Sequence, residues 1–246
     1  FIGMSYPASM GLATDWLGRN GHDVSGLGKA SGLNTLGNIL GVLLAGFWLI
    51  PAFGSRNALL IFTVAALLAG ALMAAAAVWG TARPHVPARG MAWTLGCTAG
   101  LALLFPAHWD LDKLSEGSNV YFFPQQWGKV IDHAESAEGG LTTVTQSADG
   151  LLTLLTNGKF QGNNSEQGEM IAQKSIALIP LLHTAQRDTA LVIGYGTGMT
   201  PRVIHENEFR SLDIAELSED MVRLADRHFE NINHAVTSQP GVNTYY

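Results

Sequence analysis

Charge is scarce in this chain, cysteine is almost absent, and no histidines are spaced as metal ligands. Only 14% of its 246 residues are charged, against about a quarter in ordinary soluble domains. The shortage is local. Between residues 31 and 107 the only charged side chains are Arg56, Arg83 and Arg89. From His108 onward nine Lys/Arg stand against eighteen Asp/Glu, so the second part is acidic. That balance argues against nucleic acid as a partner, since nucleic acid calls for a basic stripe. The single cysteine, Cys97, excludes an internal disulfide framework and a thiolate metal site. It lies in an apolar run, where a lone cysteine packs as a small hydrophobe. The eight histidines are scattered, and no metal site is expected. No G-x-x-x-x-G-K-[ST] run occurs, which argues against a P-loop nucleotide site.

What fills the charge-poor part is apolar. Residues 33–53 read LNTLGNILGVLLAGFWLIPAF, 58–80 read ALLIFTVAALLAGALMAAAAVWG, and 90–107 read GMAWTLGCTAGLALLFPA. A helix needs about 20 residues to cross a hydrocarbon core of about 30 Å. A buried helix of a soluble core rarely runs so long without a charge. Residues 1–107 are therefore expected to be a multi-pass transmembrane region with spans at 33–53, 58–80 and 90–107. The stretch before residue 17 fits the tail of an earlier span, and 108–118 reads as a linker. The localisation expected is a plasma or inner membrane. Arg19, Lys29, Arg83 and Arg89 fall on one side of these spans, Arg56 and Lys113 on the other. Counting basic residues puts the first group inside and the acidic part outside, so the side that carries the acidic part stays open.

The acidic part changes period. TTVTQS (142–147) alternates, Asp149-Gly150 is a turn signal, and LLTLLT follows from Leu151. Two such runs about an Asp-Gly predict a β-hairpin, and 119–160 is expected to be a strand and hairpin region. Residues 169–182 carry helical spacing, with Pro180 near the end. Then LVIGYGTGMTPRV opens at Leu191, where an apolar strand stops at three alternating glycines. Thr189–Ile193 reads as a buried strand, Thr200 as an N-cap and Pro201 as the first helical position. SLDIAEL (211–217) is a second strand, Ser218 a cap, and Glu219 and Asp220 suit the first turn of the next helix. Strand, glycine turn, helix, strand and acid predict a Rossmann-like α/β unit over 161–246, with its ligand at the carboxyl ends of the strands.

Glycines there let a ligand approach the backbone without meeting a Cβ. Glu216, at the end of the second strand, can accept hydrogen bonds from both hydroxyls of a ribose. An adenosine-type ligand follows. The dinucleotide fingerprint G-x-G-x-x-G would put its third glycine at Met199, but glycine comes one residue early, at Gly198. That spacing disfavours NAD.

The run GYGTG followed by LDIAEL resembles the glycine motif and strand-end acid of S-adenosyl-type transferases. NGKFQ (157–161), EM (169–170), LIPLL (178–182) and ALVIGYGTG, in that order, resemble the spermidine synthases, the polyamine aminopropyltransferases. SGLNTLGNILGVLLAGFWLIPAFG is similar to the multi-pass segment fused ahead of the synthase domain in a membrane-bound branch of that family. The resemblance implies that Gly194, Tyr195, Gly196, Thr197, Gly198 and Glu216 hold the adenosyl part of decarboxylated S-adenosylmethionine, with Gln161 against it. It implies this ligand as co-substrate rather than a tightly bound cofactor, a polyamine such as putrescine as acceptor, a lipid membrane as surroundings, and homo-oligomers like those of soluble relatives. Three features depart from the family. Asn157 replaces the common Asp of its Asp-Gly turn. Thr197 stands where its turn commonly carries an acid, and Gln167-Gly168 stands where soluble members place an aromatic residue on the acceptor side.

The chain starts at Phe1 and stops at Tyr246, straight after VNTYY, which reads as a third strand. The expectation is a segment truncated at both ends, with the family's catalytic aspartate following Tyr246 and no catalytic residue within the chain. Two other readings remain open on the same residues. One is a methyltransferase using intact S-adenosylmethionine. The other is a transporter-like membrane protein whose soluble part senses a ligand.

Overall fold

The computed structural model describes residues 25–80, 96, 99–100 and 106–246. It divides into two compact units, Phe1–Leu49 and Ile50–Tyr246. In the first, helix α1 (Ser25–Leu44) runs into a π-helical turn, Ala45–Leu49. The second opens with α2 (Ile50–Gly80), which breaks at Gly54 (φ 75°, ψ 161°), a conformation open essentially to glycine alone.

By length and composition one stretch, Ser31–Ala71, is apolar enough to cross a membrane, and only 6% of its apolar window is buried. This is one stretch among the described residues, against the three spans expected. Expected span 33–53 falls within it, 58–80 begins in it, and the break at Gly54 lies between the two. Most of 90–107, and any span tail before residue 17, lie outside the described residues. Past the break, the Ser55 N–H donates to Glu135 Oε2 (3.0 Å), and Ser55 Oγ accepts from Trp109 Nε1 (3.0 Å). Arg56 Nε donates to the Pro106 carbonyl (2.8 Å). The root of this helix is therefore held by polar contacts to the body of the second unit.

Residues 108–118 carry a short helix α3 (Leu111–Ser115), and α4 (Ser118–Tyr121) follows. An antiparallel sheet comes next, β1 (Lys129–Ser136), β2 (Gly140–Gln146), β3 (Leu152–Thr156) and β4 (Lys159–Asn163), in that spatial order. Asn157 and Gly158 both take positive φ (50° and 76°), the two-residue turn whose twist suits a hairpin. β2 is covered on both faces, which is why its threonines are buried. Ser115 Oγ meets Thr143 Oγ1 at 3.0 Å on one face.

After α5 (Glu169–Leu181), strands β5 (Thr189–Ile193), β6 (Ser211–Ala215) and β7 (Val242–Tyr245) form a parallel sheet in the order β5-β6-β7. The connections are α6 (Met199–His205), then α7 (Glu219–His228) with a short α8 (Glu230–Asn233). α7 is amphipathic: Met221, Val222, Leu224 and Ala225 are buried, while Arg223 and Arg227 lie outside. Ser218 caps it by accepting from the Met221 N–H at 3.3 Å. One apolar cluster includes Ala134, Val144 and Leu154 of the antiparallel sheet, Val192, Leu212 and Ile214 of the parallel one, and Leu224 and Phe229.

The start of α6 differs from the expectation. The helix begins at Met199 behind Gly198, which is left-handed at φ 82°. The glycine delivers the chain straight into the helix, so Thr200 and Pro201 are its second and third residues. The Thr200 hydroxyl donates to the Gln173 carbonyl (3.0 Å) instead of capping. Pro201 stays in the first turn, where its missing N–H costs no intrahelical bond.

Asp132 of β1 ties this sheet to α7. Its Oδ2 lies 2.8 Å from both His228 Nε2 and Arg227 Nη1, and its Oδ1 accepts from the His133 N–H. The bonds from His228, then Arg227 and His133, lower its pKa from 3.8 to about 2. A depressed carboxylate stabilises the fold fully above its unfolded value and loses that contribution as it protonates. Asp132→Asn is expected to cost about 1–2 kcal/mol at neutral pH. Thermal melts of the two proteins should converge as the pH falls from 3.8 through about 2. A constant gap down to pH 2 would show that Asp132 matters only through packing.

Candidate functional site

The three glycines of the turn after β5 have φ of 87° (Gly194), 58° (Gly196) and 82° (Gly198). Their surroundings differ. A Cβ on Gly194 would meet nothing within 4 Å, and one on Gly196 would lie 3.6 Å from the Gln161 carbonyl. On Gly198 it would fall 2.6 Å from Asn233 Cβ and 2.7 Å from the Tyr195 hydroxyl. Clearance for a ligand therefore exists at the first two, whereas the third is bare because the protein itself crowds it.

The side chains between the glycines point inward. Tyr195 is 3% exposed, and its hydroxyl donates to Asp226 Oδ1. Asp226 also accepts from Thr237 Oγ1 (2.6 Å) and Asn233 Nδ2 (3.3 Å). Burial, and then the Asp226 carboxylate, push the Tyr195 hydroxyl far above its ordinary pKa of 10.0, so it stays a proton donor. Thr197 is 1% exposed. Its hydroxyl donates to Gln173 Oε1, and its carbonyl accepts from Asn233 Nδ2 (3.2 Å). These two side chains anchor the turn and leave the Gly194–Gly196 backbone to line the neighbouring cavity.

Glu216 follows β6. Its Oε2 accepts from the Tyr195 N–H (2.7 Å) and its Oε1 from the Ser218 N–H (3.1 Å). The acid thus bridges the glycine turn to the cap of α7. Nearby, partial burial and then Glu219, Asp226 and Glu216 raise the Tyr246 hydroxyl above 10.0. The strand ends form an acidic rim suited to hydroxyl donors and cations.

A cavity of about 570 Å³ opens beside the turn, within the range of small-molecule sites. Gln161, Glu169, Gln173 and Gly194 to Gly196 form its polar end, and β5 with Ile176, Ala177 and Leu181 forms an apolar trough. β5 lies at an edge of its sheet, with Leu191 and Ile193 61% and 84% exposed. Of the residues expected from sequence, Gln161, Gly194, Tyr195 and Gly196 line this cavity. Thr197 and Gly198 lie behind the turn, and Glu216 reaches it through the Tyr195 N–H. Sequence reasoning missed Glu169, Gln173, Asp226 and Asn233. The first two stand four residues apart on one helix, a spacing that places them on the same face. Among the described residues no group of three or more His, Cys, Asp or Glu is placed to hold a metal ion.

Fold and site together define a parallel α/β unit with a glycine turn and strand-end acid, preceded by an antiparallel sheet and an apolar helix. No protein-family model and no curated protein matches the chain. Solved structures similar to it include a spermidine synthase in complex with the transition state analogue AdoDATO and a spermidine synthase from Thermotoga maritima. Each is 17% identical with a TM-score of 0.41. The first match covers 47% of this chain and the second 48%, and each covers 40% of the neighbour. The chain thus spans less than half the length of these neighbours, and a likeness of this extent decides nothing about function.

Proposed function

We propose that the protein is a membrane-anchored, spermidine synthase-like aminopropyltransferase, with decarboxylated S-adenosylmethionine as donor and a polyamine such as putrescine as acceptor. The observation that carries this reading is the turn itself. Backbone free of side chains at Gly194 and Gly196 opens on a cavity, and Glu216 reaches the turn from the end of the neighbouring strand. The ordered motifs from Asn157 to Leu182 favour the aminopropyl donor over intact S-adenosylmethionine, whereas the glycine turn and Glu216 would serve either. The apolar stretch Ser31–Ala71, long and apolar enough to cross a membrane, supports an anchor.

In the proposed reaction the lone pair of the acceptor amine attacks the carbon beside the sulfonium. A C–N bond forms, the C–S bond breaks, and sulfur keeps the electron pair as a neutral thioether. The new ammonium then gives up a proton to a carboxylate. Gly194, Gly196 and Gln161 hold the adenosyl part, Glu216 takes the ribose hydroxyls, and the cavity aligns amine and carbon. These residues bind and align; none of them is assigned the proton transfer.

The test is calorimetric titration of the purified chain in detergent with decarboxylated S-adenosylmethionine, S-adenosylmethionine and NAD in parallel. The expected result is preference for the decarboxylated ligand. Preference for the intact one would move the protein to the methyltransferases, and silence from all three would reduce the turn to a structural element.

A further inference from the structure

Gln173 is the residue on which the cavity wall and the glycine turn meet. It lies on α5, four residues after Glu169, and is 7% exposed. Both ends of its amide are engaged, with opposite polarity. Nε2 donates to Glu169 Oε1 (3.1 Å), and Oε1 accepts from the Thr197 hydroxyl. Its backbone carbonyl accepts from Thr200 Oγ1 (3.0 Å). A flipped amide would set its carbonyl against the Glu169 carboxylate, so the order carboxylate, amide nitrogen, amide oxygen, hydroxyl is self-selecting. Room for the amide comes from Gly162 of β4, where a Cβ would lie 2.5 Å from Nε2. Asn233 holds Thr197 from the other side (3.2 Å).

From this geometry we infer that Gln173 is the positioning residue of the ligand site, holding Thr197, and with it the glycine turn, in register with the Glu169 carboxylate of the cavity wall. The inference rests on the reading that the turn holds an adenosyl ligand. An apolar side chain of similar size would pack as well but would leave the Thr197 hydroxyl buried without an acceptor.

The experiment compares affinity for decarboxylated S-adenosylmethionine, with thermal melts as a folding control, in the wild type, Gln173→Glu, Gln173→Ala and the pair Glu169→Gln/Gln173→Glu. Gln173→Glu sets two carboxylates face to face, and a loss of about tenfold or more at neutral pH is expected. Part of that loss should return on acidification, as one carboxylate takes a proton. The double variant keeps an amide-to-carboxylate bond with the order reversed and should recover to within about threefold of wild type. A double variant no better than Gln173→Glu, or a folded Gln173→Glu with wild-type affinity, overturns the inference. If Gln173→Glu does not fold, Gln173→Ala decides: about a tenfold loss is expected, and unchanged affinity overturns the idea. A wild type that binds no adenosyl ligand fails the underlying reading, and this inference falls with it.

Discussion

Glu216→Ala is expected to lower affinity for an adenosyl ligand by about 100-fold or more. Two hydrogen bonds to a charged acceptor are lost, each worth about 1.5–3 kcal/mol, and about 1.4 kcal/mol is a factor of ten. A carboxylate offers about four lone-pair positions. In the structure two are taken, by the N–H groups of Tyr195 and Ser218. Two positions therefore remain for the adjacent hydroxyls of a ribose. The same acid braces the turn, so binding and stability should fall together, but unequally. Glu216→Gln separates the two roles: its one remaining oxygen can serve a backbone N–H, while its NH₂ faces the other donor and cannot replace the second bond. Calorimetry reads the affinity and thermal melts read the brace. Wild-type affinity in Glu216→Ala, with a lowered melting temperature, would leave the residue as a brace alone.

The parallel unit was the most legible part of the fold. The bounds of strand Thr189–Ile193 were readable to the residue, because an apolar run ending in alternating glycines has few alternatives. The expected burial was not met: β5 is an edge strand with only Val192 buried. Ser218, Glu219 and Asp220 marked the start of α7 by cap and dipole alone. The start of α6 misled, since Thr200-Pro201 is a strong cap pattern and only the backbone reveals that Gly198 already turns the chain. β1 was hidden for another reason. KVIDHAES carries charges on a strand because Asp132 is spent on α7 and Glu135 on the root of α2, contacts that no local pattern encodes. At the site, Glu216 and the glycines were legible as a constellation. Gln173 was not, since in sequence a glutamine on a helix looks the same whether it faces water or joins a carboxylate to a buried threonine. The apolar runs at 33–53 and 58–80 were plain, but among the described residues they yield one stretch apolar enough to cross a membrane, Ser31–Ala71, and the break at Gly54 was not foreseen. Composition cannot say how helices on either side of such a break are arranged.

Gly198→Ala and Gly194→Ala should part company. Both place alanine at positive φ, 82° and 87°, a strain of about 1–2 kcal/mol for an L-residue. At Gly194 nothing else follows for stability, because the added methyl points into open space. At Gly198 the methyl meets Asn233 Cβ at 2.6 Å and the Tyr195 ring hydroxyl at 2.7 Å. Neither neighbour can yield cheaply. Asn233 is fully buried and holds Thr197, Ala225 and Asp226, and Tyr195 is fixed on Asp226. Overpacking adds about 1–3 kcal/mol, so Gly198→Ala should cost about 2–5 kcal/mol of a total of about 5–15. Gly194→Ala should instead lose ligand affinity at a stability cost limited to that backbone strain of about 1–2 kcal/mol, since its methyl stands where the proposed adenosyl ligand would approach. The pair is read by denaturant titration beside calorimetry. Equal stability losses would mean that positive φ alone decides and that the crowding around Gly198 relaxes. Unchanged affinity in Gly194→Ala would mean that no ligand comes close to the first glycine, and the site would have to be placed elsewhere along the cavity.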